Sequence, residues 1–157
     1  MAQIDIAVLA DPLDPAAELA GLTGRHASAG GIASFTGQVR AEPGLLALEV
    51  EHYPGVTENT LERIARTAAG RWPVSAVVIH HRVGRMEIGQ PIVFVAACAP
   101  HRREALDAVG YMIDMLKTRA PFWKQAHTET GSYWIEAAEA DEAATEYWMD
   151  QMTSEDA

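Results

Sequence analysis

Ten of the twelve basic residues in this chain are arginine, and its two lysines, Lys117 and Lys124, stand seven positions apart. Between them lies Thr118-Arg119-Ala120-Pro121-Phe122-Trp123. Lysine differs from arginine in that burial or a neighbouring cation lowers its pKa, which makes it a nucleophile or a general acid–base. A chain that covers its surface with arginine and keeps amines at two places points to amine chemistry there. The competing reading is a pair of solvated surface lysines; the proline turn and the aromatic flank Phe122-Trp123 weigh against it. A second cluster, Pro100-His101-Arg102-Arg103, opens a helix, where free N–H groups and the helix dipole attract anions and the side chains add charged donors suited to phosphate. The plainer alternative pairs Arg102 and Arg103 with Glu104 or Asp107 on the surface. Third, Phe35-Thr36-Gly37-Gln38-Val39-Arg40 ends a strand and puts Arg40 at a sheet rim, where an arginine is ordinarily a surface charge.

Other features do not lead to chemistry. His80 and His81 are neighbours on an expected strand, so they point to opposite faces and cannot share one metal. Cys98 lies in the apolar run Val95-Ala96-Ala97-Cys98-Ala99 and reads as a small core residue. Walker, dinucleotide-glycine and Gly-x-Ser-x-Gly motifs are absent from the sequence. Neither a metal nor a cofactor is expected.

The elements that must position these residues follow from periodicity. Ile4 to Leu9 reads as an edge strand, and Asp14-Pro15 starts a short helix through Leu22. Gly30-Gly31 opens a strand, Ile32 to Val39, and Glu42-Pro43-Gly44 turns into another, Leu46 to Tyr53. In the latter, Leu46, Leu48 and Val50 are expected on one face with Glu49 and Glu51 on the other. Thr57 is expected to N-cap a helix carrying Leu61, Ile64, Ala65 and Ala68, stopped by Trp72-Pro73. Ser75 to Val83 and Ile92 to Ala99 read as strands joined by a connection running from Gly84 to Gly89. A helix from about His101 to Thr118 should bury Leu106, Val109, Ile113 and Leu116. Ala120 precedes proline and must leave the helical region. Strands Phe122 to His127 and Tyr133 to Glu136 then precede a final helix, Glu139 to Met149. The sum is one α+β domain, residues 1–157, with a mostly antiparallel or mixed sheet.

Length and composition agree with a single globular domain. The formal net charge of −10 argues against nucleic acid or an anionic membrane as partner. No apolar run approaches the roughly 20 residues of a membrane span, and the first residues do not read as a signal peptide. One cysteine makes no internal disulfide, so the expected setting is cytoplasmic. After Lys124 there is no further Lys or Arg, and the acidic tail is expected to be a solvated, partly frayed helix. Between His101 and Lys124 five cations face three acids, a locally basic stretch in an acidic chain that suggests a focused anion site.

Several blocks carry a resemblance: Phe35 to Arg40, Glu51-His52-Tyr53-Pro54-Gly55-Val56-Thr57-Glu58, Ile92 to Val95, His101-Arg102, and Met115-Leu116-Lys117-Thr118-Arg119-Ala120-Pro121-Phe122-Trp123-Lys124. In order, from about residue 30 to about residue 140, the chain resembles the catalytic (large) subunit of molybdopterin synthase. The resemblance implies an α/β-hammerhead-like domain and a sulfurtransferase that adds two dithiolene sulfurs to cyclic pyranopterin monophosphate. It implies a homodimer flanked by two small ubiquitin-like subunits, each donating sulfur from a C-terminal Gly-Gly thiocarboxylate. This chain ends Ser154-Glu155-Asp156-Ala157, so it is expected to be the acceptor half. By motif match Lys117 and Lys124 become the catalytic lysines, and Arg40, His101 and Arg102 the contacts to substrate phosphate and pterin. Gln38, Val39 and Gln125 fall at substrate-binding positions, and Phe35, Met115 and Phe122 along the channel for the partner's tail. Gln38 stands where the family commonly has lysine, bases expected near Gln125 and Ala138 are missing, and the turn at 41–44 is short. Charged contacts are therefore not expected there, whereas backbone contacts are. Two readings from other classes compete: a non-catalytic module that holds a ubiquitin-like tail, and a lysine Schiff-base enzyme acting on an anionic carbonyl compound.

Overall fold

Short runs of Val, Ile and Ala build the sheets, and helices of mixed polarity close over them. The computed structural model describes residues 1–136 and 139–155; the base expected near Ala138 lies outside them. In chain order the elements are β1 (Gln3–Leu9), α1 (Pro15–Arg25), β2 (Gly31–Gln38), β3 (Leu45–His52), α2 (Val56–Arg71) and β4 (Ala76–Arg82). They continue as β5 (Gly84–Glu87), β6 (Pro91–Ala99), α3 (Arg102–Arg119), β7 (Phe122–Thr128), β8 (Gly131–Ile135) and α4 (Glu139–Glu155).

Two four-stranded sheets result, in orders β1-β4-β6-β2 and β5-β3-β7-β8. Only β1 with β4 is parallel; the other pairs are antiparallel. This is the expected α+β domain of mixed and antiparallel sheets. Every residue of β4 is buried, because helices cover both faces of the first sheet. On one face Leu61, Ile64 and Ala68 of α2 and Ala108, Met112 and Met115 of α3 pack on Val77, Ile79, Val95 and Ala97. On the other, Leu22 of α1 packs on Val78, Phe94 and Cys98. The second sheet has its own small core of Val39, Leu48, Val50, Met86 and Ile92.

Four expectations are corrected. Leu46 is 48% exposed, because a register shift between Leu45 and Ala47 takes it off the face that Leu48 and Val50 share. Leu106 is likewise exposed, and α3 buries Ala105, Ala108 and Met112 instead. Thr57 lies inside α2 rather than at its cap; Gly55 holds that position at φ 84°, and its N–H donates to Glu58 Oε2 at 2.6 Å. The connection between β4 and β6 contains β5, whose Met86 is fully buried against the second sheet. The acidic C-terminal helix is also firmly docked. Trp148 Nε1 donates to Asp114 Oδ2 at 2.6 Å, and the Thr118 and Thr145 hydroxyls lie 2.6 Å apart. Trp148 also meets Trp72 and Tyr111 edge-on, contacts each worth about 0.5–1.5 kcal/mol beyond their area.

Candidate active site

The two sheets meet where α3 ends and β7 begins. Lys117 occupies the last turn of α3, where a cation suits the helix dipole. Ala120 then turns extended (φ −82°, ψ 131°), as the following proline requires, and Phe122 enters β7. A latch holds this turn: the Thr57 hydroxyl donates to the Pro121 carbonyl at 3.0 Å and accepts from the Tyr53 N–H at 3.0 Å. Thr57 is fully buried, so water cannot replace either bond. The reversal brings Lys117 and Lys124 to one cavity of about 130 Å³, lined also by Phe35, Gln38, His81, Val93 and Phe122.

Electrostatics within the cavity favour uncharged nitrogen. Burial pushes the Lys124 amine below the ordinary lysine value, and the charge of Lys117 adds to the shift, while Asp141 opposes it. His81 is pushed down to about 4, first by burial and then by the charges of Lys124 and Lys117, with His52 a smaller contributor, against the raising effect of its hydrogen bond to the Arg82 carbonyl. The site therefore offers a lysine able to shed its proton beside an exposed cationic lysine, over apolar walls. That combination suits an anionic substrate and proton transfer at the reacting atoms. Among the described residues no group of three or more His, Cys, Asp or Glu is placed to hold a metal ion.

Against this geometry the comparisons decide the family. The model of the MoaE protein family matches residues 8–119. The chain is 46% identical over 138 residues to a molybdopterin synthase catalytic subunit of Mesorhizobium japonicum, covering 86% of this chain and 87% of that one. It belongs to the MoaE protein family. A second relative, the molybdopterin synthase catalytic subunit of Rhizobium meliloti, is 43% identical over 150 residues, covering 94% of this chain and 97% of its own. Among solved structures, the molybdopterin biosynthesis MoaE protein of Burkholderia ambifaria superposes with a TM-score of 0.76 at 44% identity, covering 94% of this chain and 98% of that chain. The family match begins well ahead of residue 30 and so takes in α1 as well as Lys117.

The other expected site residues of this MoaE chain divide. Phe35, Gln38 and Phe122 line the cavity with the lysines. Arg40 stands two residues beyond Gln38, its side chain 85% exposed and paired with Glu42 at 2.6 Å. Val39 is buried in the second sheet's core; its N–H donates to the Gln90 carbonyl and its carbonyl accepts from the Gly89 N–H. It braces the rim instead of presenting a group to the cavity. Gln125 alternates with Lys124 along β7 and so points to the other face, where its amide reaches Ser132 Oγ at 3.2 Å. Met115, expected along the tail channel, is 4% exposed and packs in the main core.

His101 and Arg102 are not in this cavity. They open α3, both exposed, and Lys117 closes it. Fifteen residues of helix from Arg102 to Lys117 span about 22 Å. The start of β2 lies directly against them: a Cβ on Gly30 would sit 2.0 Å from the Pro100 oxygen, and one on Gly31 3.3 Å from Arg102 Cα. Two residues meet the site without a signal in the sequence strong enough to single them out, His81 in the cavity lining and Thr57 beneath the proline turn. His80 and His81 point to opposite faces, as expected, and His80 faces Asp5 and Glu18 at 3.1 and 3.5 Å. The signal in the pattern was that one of two alternating histidines must share the face of Ile79. Thr57 has the local pattern of a helix cap, and nothing local indicates its bond to a carbonyl 64 residues away.

Proposed function

We propose that this chain is the catalytic subunit of a molybdopterin synthase, which moves sulfur from the thiocarboxylate tail of a small ubiquitin-like partner onto cyclic pyranopterin monophosphate. The observation that carries the reading is the convergence of Lys117 and Lys124, the chain's two amines, on one cavity across the Ala120-Pro121 turn. Its curated relatives bear the name of catalytic subunit, which supports a complex with a second kind of chain. Cys98 is wholly buried and its thiol is pushed up by burial, so sulfur has to arrive on another molecule. Phe35 and Phe122 form apolar walls fit for a thin, extended tail, and Lys117 supplies the cation that a thiocarboxylate or phosphate needs. Lys124 is the amine whose proton is most easily moved. No helix among the described residues is long and apolar enough to cross a membrane. With one cysteine and a net charge of −10, the reading places the enzyme in the cytoplasm.

Arg40, Gln38, His101 and Arg102 are assigned to the substrate. Since His101 and Arg102 stand about 22 Å along α3 from Lys117, a homodimer serves the reading only if those two residues reach the cavity of the other copy. Incubation with cyclic pyranopterin monophosphate and a thiocarboxylated small subunit should yield a dithiolene product. Absence of product, together with borohydride trapping of a carbonyl compound on Lys124, would turn the reading to Schiff-base chemistry.

A further inference from the structure

Two polar side chains line the cavity from the first sheet, Gln38 at the exposed end of β2 and His81 on β4, and of these only His81 is buried. Its ring is 6% exposed and lies flat on Phe122, with centroids 3.8 Å apart and planes 16° from parallel. Its Nδ1 is 2.8 Å from the Arg82 carbonyl oxygen. A carbonyl only accepts, so Nδ1 carries the proton, and a neutral ring has its lone pair on Nε2. Phe122 and Lys124 are two apart on β7 and so share a face, at a spacing of about 7 Å. A ring stacked on Phe122 is therefore a neighbour of Lys124. The other polar side chains lining the cavity are Gln38, which is exposed at its mouth, and Lys117, a donor only. We propose that His81 is a positioning residue of the sulfur-transfer site, whose unprotonated Nε2 accepts a hydrogen bond from the Lys124 amine and aims it into the cavity.

The neighbours of His81 are consistent with this role. Its strand partners are Val8 on β1 and Val93 on β6, both apolar. The titratable groups acting on it are Lys124 of β7, Lys117 of α3 and, more weakly, His52 of β3, which lies 3.4 Å from Glu58 of α2. Buried, and with two lysine cations on β7 and α3 acting on it, the ring stays neutral across the physiological range and remains an acceptor. A protonated ring would repel both lysines and have no lone pair to offer. The Arg82 carbonyl fixes the tautomer and Phe122 the ring plane, so the lone pair has one direction. His80, on the opposite face between two acids, has none of these features.

This role rests on the sulfur-transfer reading, but its first test does not. The chain has two lysines, so selective labelling at the lysine ε-carbon gives two NMR signals that titrate separately. An acceptor on Lys124 favours its charged form. His81→Phe, which keeps a ring against Phe122, should therefore lower the Lys124 midpoint further, by about half a unit or more. His81→Gln, whose side-chain oxygen reaches the place of Nε2, should restore it. Ring-nitrogen spectra of the unaltered chain should show Nδ1 protonated and Nε2 bare from about pH 6 to about pH 9. In the reconstituted assay, His81→Phe should lower kcat by about 10- to 100-fold with little change in KM, the effect of a displaced reacting group. An unchanged Lys124 titration in a folded His81→Phe chain overturns the proposal. So does a proton on Nε2 in the unaltered protein, whether or not any His81 variant folds. If the unaltered chain makes no dithiolene while the lysine signals behave as expected, the transfer reading fails and the His81–Lys124 contact stands.

Discussion

At the residue scale the chemistry depends on where Lys124 holds its proton. Burial and the Lys117 charge set it below its ordinary 10.5, against the pull of Asp141. Below the depressed folded value both folded and unfolded chains carry the proton, and the native state bears the full cost of a poorly solvated ammonium. As pH rises through that value the native amine discharges first, and the cost is fully relieved only above 10.5, where the unfolded lysine discharges too. Lys124→Met should accordingly raise Tm at neutral pH, with the gain shrinking as pH climbs toward the ordinary lysine value; a thermal melt series checks it. A gain that is constant with pH would mean that Lys124 is not electrostatically strained. His81 gives a dependence of the same sign at lower pH. Its folded value of about 4, against an ordinary 6.5, gives stability that is present above pH 6.5 and is lost as pH falls through about 4. In His81→Phe this acid-sensitive component, roughly 3 kcal/mol at about 1.4 kcal/mol per unit, should disappear from the pH dependence of unfolding.

At the element scale, what matters is how a helix and a strand are held so that two amines meet. The Thr57 hydroxyl bridges the Tyr53-Pro54-Gly55 corner to Pro121 and so ties α2 to the turn between the lysines. Thr57→Val keeps the shape and removes both bonds, leaving a buried N–H and a carbonyl unpaired. It should cost about 1–3 kcal/mol in a denaturant titration. The same change should lower kcat with both lysines in place, because the turn is free to shift; unaltered kcat at reduced stability would make the latch purely structural. Much of this architecture is legible in the sequence. Proline at 121 dictates the reversal, Asp14-Pro15 the start of α1, and the Val and Ile runs the buried strands. Local periodicity fails where distant chain decides. Leu46 leaves its face through a bulge that β7 imposes, and Leu106 is exposed because small alanines, not large leucines, let α3 approach the sheet. β5 is only four residues long, too short to show a period, and exists because β3 offers it an edge. Within the site, the lysine pair was readable from residue type and spacing. His81 was not, since only the fold stacks it on Phe122.

At the scale of the whole molecule, one chain is half of the proposed machine. The basic opening of α3 and the lysines at its end are separated by the helix itself, so a substrate that needs both must lie between two copies. Arg102→Ala should weaken precursor binding by about 1.5–3 kcal/mol, more at low than at high salt; unchanged affinity would remove the α3 opening from the site. At a precursor concentration that saturates the unaltered site but not the weakened one, Arg102→Ala and Lys117→Ala chains, each nearly inactive alone, should recover roughly a quarter of wild-type activity when mixed and re-dimerised. Half of the dimers are then mixed, and each of those carries one intact site. Light scattering should show a dimer that gains two small subunits. The central claim, that the paired lysines carry the sulfur transfer, is tested most directly by single-turnover dithiolene formation in the reconstituted complex. The unaltered chain should form product, while Lys117→Ala and Lys117→Arg should form essentially none, since a guanidinium is bulkier and keeps its proton. Near wild-type turnover by folded Lys117→Ala, in the same complex, would contradict it.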